Sequence, residues 1–382
     1  MQITRRHLLT RSALAGLAAA GALPGLDARV LARAAKALYL SARADREGGF
    51  FASGFDATGA KLFDLPMPAR GHGSAVSPDG RPGGRPGGRQ CVFFGRRPGR
   101  FALVVDTASG TAVHTIANAE DRAFAGHGLF VKGGRLLLAT EIDYAGERGL
   151  IGLYDAADSW RRIGEWQTGG LDPHDLRLLP DGRTLIVANG GILTHPEVQR
   201  LKLNLDSMDS SVAFIDLNDG SLIEQHRLPG DFFQLSLRHM AVTADGETVI
   251  AMQYEGPSTD LVPLVGLARP GRAIELLEMP DMAWSSLRNY CGSAAVDAGG
   301  RILGVTSPRG GRALFWEAAT RRPLQPLDLA DGCGLAAAPV PGRFIVSNGL
   351  GALVEYDPLN GRTRALTSGF AGARWDNHIF TG

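Results

Sequence analysis

Histidine and cysteine residues recur at one position of a repeated pattern in this chain. The 382 residues include nine His and three Cys. Seven of these stand at the start of an apolar, alternating segment: His72, His127, His174, His239, Cys291, Cys333 and His378. Because imidazole and thiolate groups are the ligands that Zn, Cu and Fe take in proteins, this recurrence predicts a metal site built from a ring of side chains.

The residue types in the ring leave three interpretations open. The ring binds a metal ion (Fe, Cu or Zn) or a non-covalent haem, it is a structural circle of hydrogen bonds, or it lines a site for an organic ligand. Neutral histidine is both a good ligand and a good buried hydrogen-bonding group, so composition alone does not separate the three. The sequence contains no CxxCH, HExxH or GxSxG motif that would assign an activity.

A second group of polar residues is predicted to surround the ring and bind a ligand. Four arginines lie one to four residues before a ring member, and guanidinium groups suit carboxylates, phosphate or haem propionates. Other polar residues end the second strand of a repeat, and a histidine lies in the insertion 190–210. The predicted ligand-binding residues are Arg70, Arg238, Arg288, Arg374, Glu141, Asn189, His195 and Asn348.

The elements that position these residues repeat along the chain. Each ring residue opens an alternating strand, which a glycine-containing turn connects to a second apolar strand, as in His174-DLRLLPDG-RTLIVAN. Two more strands follow in most copies, and four strands per repeat of this length are typical of a β-propeller blade. Six copies lie between about residues 71 and 370.

The chain ends are predicted to form the seventh blade. Residues 37–70 supply three strands, and His378-Ile379-Phe380 supplies the innermost one. The expected fold is therefore all-β, a seven-bladed β-propeller closed by pairing N-terminal strands with the C-terminal strand. Because innermost strands line the central channel, the seven ring residues should face one cavity at its mouth.

Composition and charge exclude several classes of protein. There are 40 basic and 39 acidic residues, so the basic excess of a nucleic-acid binder is missing. No apolar run after the N-terminal region reaches the roughly 20 residues of a membrane span, which predicts no transmembrane anchor in the mature protein. Three cysteines are too few and odd in number for a disulfide framework, and whether Cys291 and Cys333 pair stays open.

The N-terminal residues are typical of an export signal. Arg5 and Arg6 form a twin-arginine motif, an apolar stretch follows, and small residues at 32 and 34 mark a cleavage site. The prediction is a signal peptide over residues 1–34 and a single propeller domain over 35–382. The mature protein is then expected in the periplasm, exported by the twin-arginine route.

Several segments resemble the DUF1513 family of exported bacterial proteins of unknown function. The most specific is NGGILTHPEVQRLKLNLDSMDSS, residues 189–211. Shorter ones are Pro173-His174-Asp175, Arg238-His239, Tyr290-Cys291-Gly292-Ser293, Ser307-Pro308-Arg309-Gly310-Gly311, Asp331-Gly332-Cys333-Gly334 and Trp375-Asp376-Asn377-His378. The resemblance implies a propeller-like repeat. It also implies a genetic setting beside imelysin-like periplasmic proteins and a di-haem oxidoreductase, which are the expected partners.

These observations favour a periplasmic propeller that binds a metal ion, haem or metal chelate at its His/Cys ring. Its expected role is iron or metal acquisition, or redox partnering. Two alternatives remain: an enzyme acting on a small organic anion at the same mouth, as a lactonase-like hydrolase or an oxidoreductase, and a protein-interaction scaffold. Whether the protein is an enzyme is left open by the sequence.

Overall fold

The computed structural model describes residues 37–78, 89–198 and 201–382. The predicted signal peptide, residues 1–34, lies outside the described residues. So does most of the glycine- and arginine-rich stretch 80–89.

Seven antiparallel sheets follow one another and confirm the predicted all-β propeller. The strands are β1 (Tyr39–Ala44), β2 (Phe50–Phe55), β3 (Lys61–Met67); β4 (Gly71–Val76), β5 (Gln90–Gly95), β6 (Phe101–Asp106), β7 (Thr111–Ala117); β8 (Arg122–Val131), β9 (Leu136–Asp143), β10 (Arg148–Asp155), β11 (Arg161–Gln167); β12 (Pro173–Leu178), β13 (Thr184–Asn189), β14 (Ser211–Asp216), β15 (Leu222–Arg227); β16 (Leu235–Val242), β17 (Thr248–Tyr254), β18 (Val265–Ala268), β19 (Glu275–Leu276); β20 (Ser293–Val296), β21 (Ile302–Ser307), β22 (Arg312–Glu317), β23 (Leu327–Asp328); β24 (Gly332–Ala337), β25 (Phe344–Asn348), β26 (Leu353–Asp357), β27 (Arg362–Ala365); and β28 (Arg374–Trp375) and β29 (Phe380–Thr381).

Helical structure is short in the described ranges. One α-helix, α1, covers Asp281–Ser286, and 3-10 turns cover Lys132–Gly134, Pro196–Val198 and Gly230–Phe232. The turn at Pro196 lies in the insertion 190–210, where the Thr194 and Glu197 spacing predicts a short helix. Among the described helices, none is long and apolar enough to cross a membrane.

The first and second strands of the blades are joined by tight glycine turns, as predicted. Gly182 and Gly246 have φ of +68° and +85°, a region that only glycine enters without steric cost. These turns fix the register of the inner hairpins. The prediction that each ring residue opens its strand is only partly correct. His72, His174 and Cys333 are the second residues of β4, β12 and β24, whereas His127 and His239 lie in the middle of β8 and β16.

Blades are held together by apolar side chains between neighbouring sheets. One core cluster joins Leu138 of β9, Ile151 of β10 and Val187 of β13, all buried. The outermost strands are polar, and β7 exposes six of its seven residues. The inner strands are therefore the closely packed part of each blade.

The ring of blades closes at the chain ends. β1 pairs with β2 on one side and with both C-terminal strands on the other, which confirms the predicted shared blade. The innermost strand is divided, however: Arg43 pairs with Trp375, Leu40 pairs with Phe380, and residues 376–379 leave the ladder between them. His378, predicted within a strand, therefore lies in an irregular segment opposite two residues of β1.

Candidate metal centre

Five histidines from five blades meet at the centre of the propeller. The contacting ring centroids lie 4.0 to 5.9 Å apart, the shortest separation joining His239 and His378. Phe380 packs 5.9 Å from the rings of both His127 and His378. The rings thus contact one another in the middle of the channel and do not line a wide opening.

Four of the five histidines form a group that fits one metal ion. Within the described ranges, one ligand atom each from His72, His127, His239 and His378 lies within 4.8 Å of all the others. All four side chains are buried. His174 is adjacent but outside this group, and its residue is partly exposed.

Irregularities in the inner strands aim these side chains at the centre. The register of β4 against β5 shifts between Gly71 and Ser74, around His72. The register of β8 against β9 shifts between Phe124 and Gly128, around His127. Extra residues on one strand re-aim a side chain without ending the ladder. Here they turn the imidazoles from the sheet faces into the channel.

Gly126 packs closely against the ring of His72, and we expect Gly126→Ala to weaken both folding and the site. Its φ is +114°, and a Cβ there would lie 2.6 Å from Cδ2 of His72. Such backbone strain costs about 1–3 kcal/mol, and relief requires His72 to move. Urea unfolding should show this loss in Gly126→Ala but a smaller one in Gly133→Ala, which has φ +64° and open space. Equal losses in the two variants would contradict the steric argument.

Burial keeps the clustered imidazoles neutral. It lowers the pKa of His127 well below its usual value, and the neighbouring His72 and His378 lower it further. Burial likewise lowers the pKa of His174, His239 and His378 far below the ordinary value, and that of His72 to a lesser degree. Neutral imidazole is the form that donates a lone pair to a metal ion.

Several ring nitrogens are buried without a hydrogen-bond partner in the described part of the chain. Both nitrogens of His127 and Nε2 of His378 are in this condition. A buried polar group left without a partner costs about 1–3 kcal/mol. An ion at the centre would give these lone pairs a partner.

Two buried carboxylates lie next to ring nitrogens of the four-histidine group. Asp376 Oδ1 lies 3.4 Å from Nδ1 of His72, and Asp175 Oδ1 lies 3.5 Å from Nδ1 of His127. Burial opposes the ionised form of Asp376, but His72 and Arg70 outweigh it, so its pKa falls well below the usual value. Burial raises the pKa of Asp175 to about 6. Carboxylates at this position orient ligating histidines and balance the charge of an ion.

His174 is held by a chain of buried charges. Arg238 Nη1 lies 3.1 Å from Nδ1 of His174 and donates to Asp172 at 2.7 Å. Arg97 donates to the other oxygen of Asp172 at 2.6 Å. On its inner side, Nε2 of His174 lies 2.8 Å from Nε2 of His239.

The structure does not bring the two ring cysteines into the histidine group. Cys333 Sγ contacts the backbone oxygen of Asp376 at 3.3 Å and Ser347 Oγ at 3.7 Å. Burial raises the pKa of Cys333 to about 12, which disfavours the thiolate. Cys291 precedes β20 by two residues, bonds through its N–H to Met252 of the neighbouring blade, and lies in the apolar core. Both are free thiols.

Most of the predicted ligand-binding residues have structural partners of their own. Arg70 pairs with Asp376, which lies beside His72, and Arg238 pairs with Asp172 and lies beside His174. Glu141 is held by Tyr154 and Arg162 of its own blade. Asn189 and Asn348 end β13 and β25, and each donates to a backbone oxygen. Arg288 and Arg374 are exposed.

His195 lies beside a cavity on the surface, away from the histidine group. The cavity has a volume of about 320 Å³ and is lined by Arg100, Asp121, Tyr144 and His195, among others. The ring of His195 stacks edge-on against Tyr144 at 6.2 Å. The insertion 190–210 therefore contributes to a separate recess, and not to the four-histidine group.

The sequence pattern did not identify the acidic partners of the site. Asp175 follows His174 directly, and Asp376 precedes His378 by two residues, so both are adjacent in sequence to ring histidines. The ion pair of Asp172 with Arg97 could not be predicted from the sequence, because Arg97 comes from a loop of another blade. Sequence separation of 75 residues divides this pair.

Comparisons with known proteins add the family and the fold. A family model described as "Protein of unknown function (DUF1513)" matches residues 65–382. No curated protein matches the chain. Among solved structures it is similar to Kuenenia stuttgartiensis hydrazine synthase, with a TM-score of 0.59 and 15% identity over 85% of this chain and 94% of that chain. At that identity the likeness shows a shared fold and nothing about activity.

Proposed function

The chain belongs to the DUF1513 family, and from the geometry of its own residues we propose that it binds one divalent transition-metal ion. The ligands are the four buried histidines His72, His127, His239 and His378. Imidazole donors suit Zn, Cu, Fe and Ni. The absence of thiolate and of a direct carboxylate ligand in the group favours a site made of neutral donors.

The mutual approach of four ligand atoms carries this proposal. They lie within 4.8 Å of one another. Because an ion lies about 2.0–2.1 Å from an imidazole nitrogen, two nitrogens on one ion are at most about 4.2 Å apart. Side-chain movements of about 1 Å or less would therefore bring all four nitrogens within bonding distance of one ion. A purely structural ring of hydrogen bonds would not leave Nε2 of His127 without a partner, with Nδ1 approached only by Asp175 at 3.5 Å.

An ion suits this centre better than haem. The ring centroids of His239 and His378 are 4.0 Å apart, and those of His72 and His378 are 4.5 Å apart. A planar macrocycle does not fit between imidazoles in contact. Nor are the two most buried arginines open to propionates, since Arg238 pairs with Asp172 at 2.7 Å and Arg43 pairs with Asp64.

Metal analysis of the isolated protein tests the proposal. The protein should contain close to one equivalent of a first-row metal. After removal by a chelator it should take up one equivalent of Cu2+ or Zn2+, with a higher Tm, because an ion that binds only the folded state stabilises it. Protein that binds no ion after chelation and reconstitution with Fe2+, Cu2+ and Zn2+ would sink the proposal.

For the cellular role, we propose that the metal-loaded protein works in the periplasm in iron or metal acquisition, or as a redox partner. The twin-arginine motif at Arg5 and Arg6 supports export, and the family resemblance supports imelysin-like or di-haem proteins as partners. Loading with a redox-active ion would favour the redox role, whereas reversible exchange of a redox-inert ion would favour acquisition.

The structure gives less support to a site for organic anions at the same mouth. Such a site needs arginines with free donors beside the histidines. Arg70 and Arg238 are engaged by Asp376 and Asp172, next to His72 and His174, whereas Arg288 and Arg374 are exposed. The cavity beside Arg100 and His195 is a separate recess with acidic Asp121 and Glu197 in its wall. We therefore place the function at the four histidines.

A further inference from the structure

We propose that His174 is not a ligand of the ion but a positioned N–H donor that holds a small exogenous ligand on it. This inference rests on the proposed metal site. It assigns the centre an open coordination position that takes a small, hydrogen-bond-accepting species, such as hydroxide or another small anion. His174 can act as this donor only if its proton lies on Nε2.

The buried charge chain behind His174 sets the position of that proton. Arginine carries only donors and stays protonated in proteins. Since Arg238 Nη1 lies 3.1 Å from His174 Nδ1, this nitrogen must accept, and the proton of the neutral ring lies on Nε2. Arg238 cannot turn away easily, because it is 4% exposed and bonded to Asp172.

The proton on His174 Nε2 decides how His239 can bind an ion. A neutral imidazole that ligates through one nitrogen carries its proton on the other. If His239 ligated through Nδ1, its Nε2–H would face the Nε2–H of His174 at 2.8 Å, and two donors cannot face each other. His239 therefore ligates through Nε2, and its own proton lies on Nδ1, which is buried without a partner among the described residues.

Ligation through Nε2 leaves the N–H of His174 without its acceptor. An unpaired donor at such a site is costly, and His174 is the one of the five histidines with partial exposure. A small molecule entering from that side can bind the ion and accept the hydrogen bond. The Arg97–Asp172–Arg238 chain then acts through His174 as a positioning device, with no contact to the ion.

The first test measures azide binding to the Cu2+-loaded protein by its charge-transfer absorption. His174→Leu should keep one equivalent of Cu2+ but bind azide about tenfold more weakly, the effect of losing one hydrogen bond to a charged group. His174→Gln, which keeps an N–H donor, should recover part of the azide affinity. His127→Leu, which removes a ligand, should lose the Cu2+ itself.

Each outcome separates the two proposals. Loss of Cu2+ from His174→Leu to the same degree as from His127→Leu would make His174 a ligand and overturn the inference alone. Unchanged azide affinity in His174→Leu would also overturn it. Failure of the wild-type protein to take up Cu2+ would overturn the proposed metal site, and this inference with it.

A second test needs no metal, and its deciding measurement uses the wild-type protein. In apoprotein labelled with 15N-histidine, the ring nitrogens of His174 should show an unprotonated Nδ1 and a protonated Nε2. Arg238→Met, which removes the donor, should give a mixture of tautomers. A protonated Nδ1 in the wild-type protein would overturn the inference.

Discussion

The His127→Leu variant is expected to bind no metal ion and, in its metal-free form, to be more stable than the wild-type protein. Neither nitrogen of His127 makes a hydrogen bond in the described part of the chain, although Asp175 lies 3.5 Å from Nδ1, and the side chain is 1% exposed. Replacing such a group by an apolar one of similar size removes a cost of about 1–3 kcal/mol. Because His127 is itself a proposed ligand, metal affinity should fall by more than the roughly 10–100-fold typical of mutating residues that only hold the ligands in place.

Elemental analysis and urea unfolding of the chelated protein measure the two effects together. His114→Ala is the matched control, because His114 is exposed on β7 and outside the group. It should keep one equivalent of metal and wild-type stability. Cys333→Ser should also keep the metal, since its sulfur lies outside the histidine group. A His127→Leu protein that retains full metal content would show that the ion is held elsewhere.

Metal-free protein is expected to lose stability steeply as the pH falls below about 6.5. Burial lowers the pKa of all five clustered histidines in the folded protein, whereas in the unfolded chain they titrate near 6.5. Below that pH the unfolded state binds more protons, so acid favours unfolding. Each histidine contributes at most about 1.4 kcal/mol per pH unit, or about 7 kcal/mol for five.

The nearby carboxyl Asp175 changes this balance only in part. Its folded pKa is raised to about 6, so below that pH the folded protein gains one proton that the unfolded chain takes up only nearer its ordinary value. One opposing group does not cancel five. Because a domain is stabilised by only about 5–15 kcal/mol in all, the apoprotein should unfold within a few pH units of neutrality.

Thermal unfolding of apoprotein and metal-loaded protein at pH 7.5, 6.5 and 5.5 checks this expectation. Bound metal should shift the acid transition to lower pH, because protons then compete with the ion for the same nitrogens. His127→Leu should show a shallower dependence, with one titrating group fewer. A Tm of the apoprotein that stays constant across this range would contradict the assigned burial of the cluster.

Much of the fold could be read from the sequence because local rules determine it. Alternation of apolar and polar residues and glycine turns such as Asp181-Gly182 define inner hairpins wherever they occur. Repetition of that unit, with incomplete repeats at the two ends, predicts the blade number and the closure. The structure confirms both, including the pairing of β1 with C-terminal strands.

The sequence pattern identified the histidines of the site but also included two cysteines that do not belong to it. Equivalent positions in the repeat identified all five central histidines, because symmetric blades carry equivalent residues to equivalent radii. The same rule also selected Cys291 and Cys333, which the structure leaves outside the group. Strand irregularity does not separate the two kinds of residue, because the register shifts around Cys333 as it does around His72 and His127. The Cys333 sulfur contacts Ser347 and the backbone oxygen of Asp376 instead.

By itself, the sequence determined the propeller, its closure and the histidines that approach its axis, since these follow from patterns within one or two strands. Only the tertiary structure decided which of them share a centre and which groups stand behind them. His72 and Asp376 are 304 residues apart, and His174 and Arg238 are 64 apart. Contacts between blades depend on strand irregularities and on the limited room at the axis, and neither is encoded in the spacing of a single repeat.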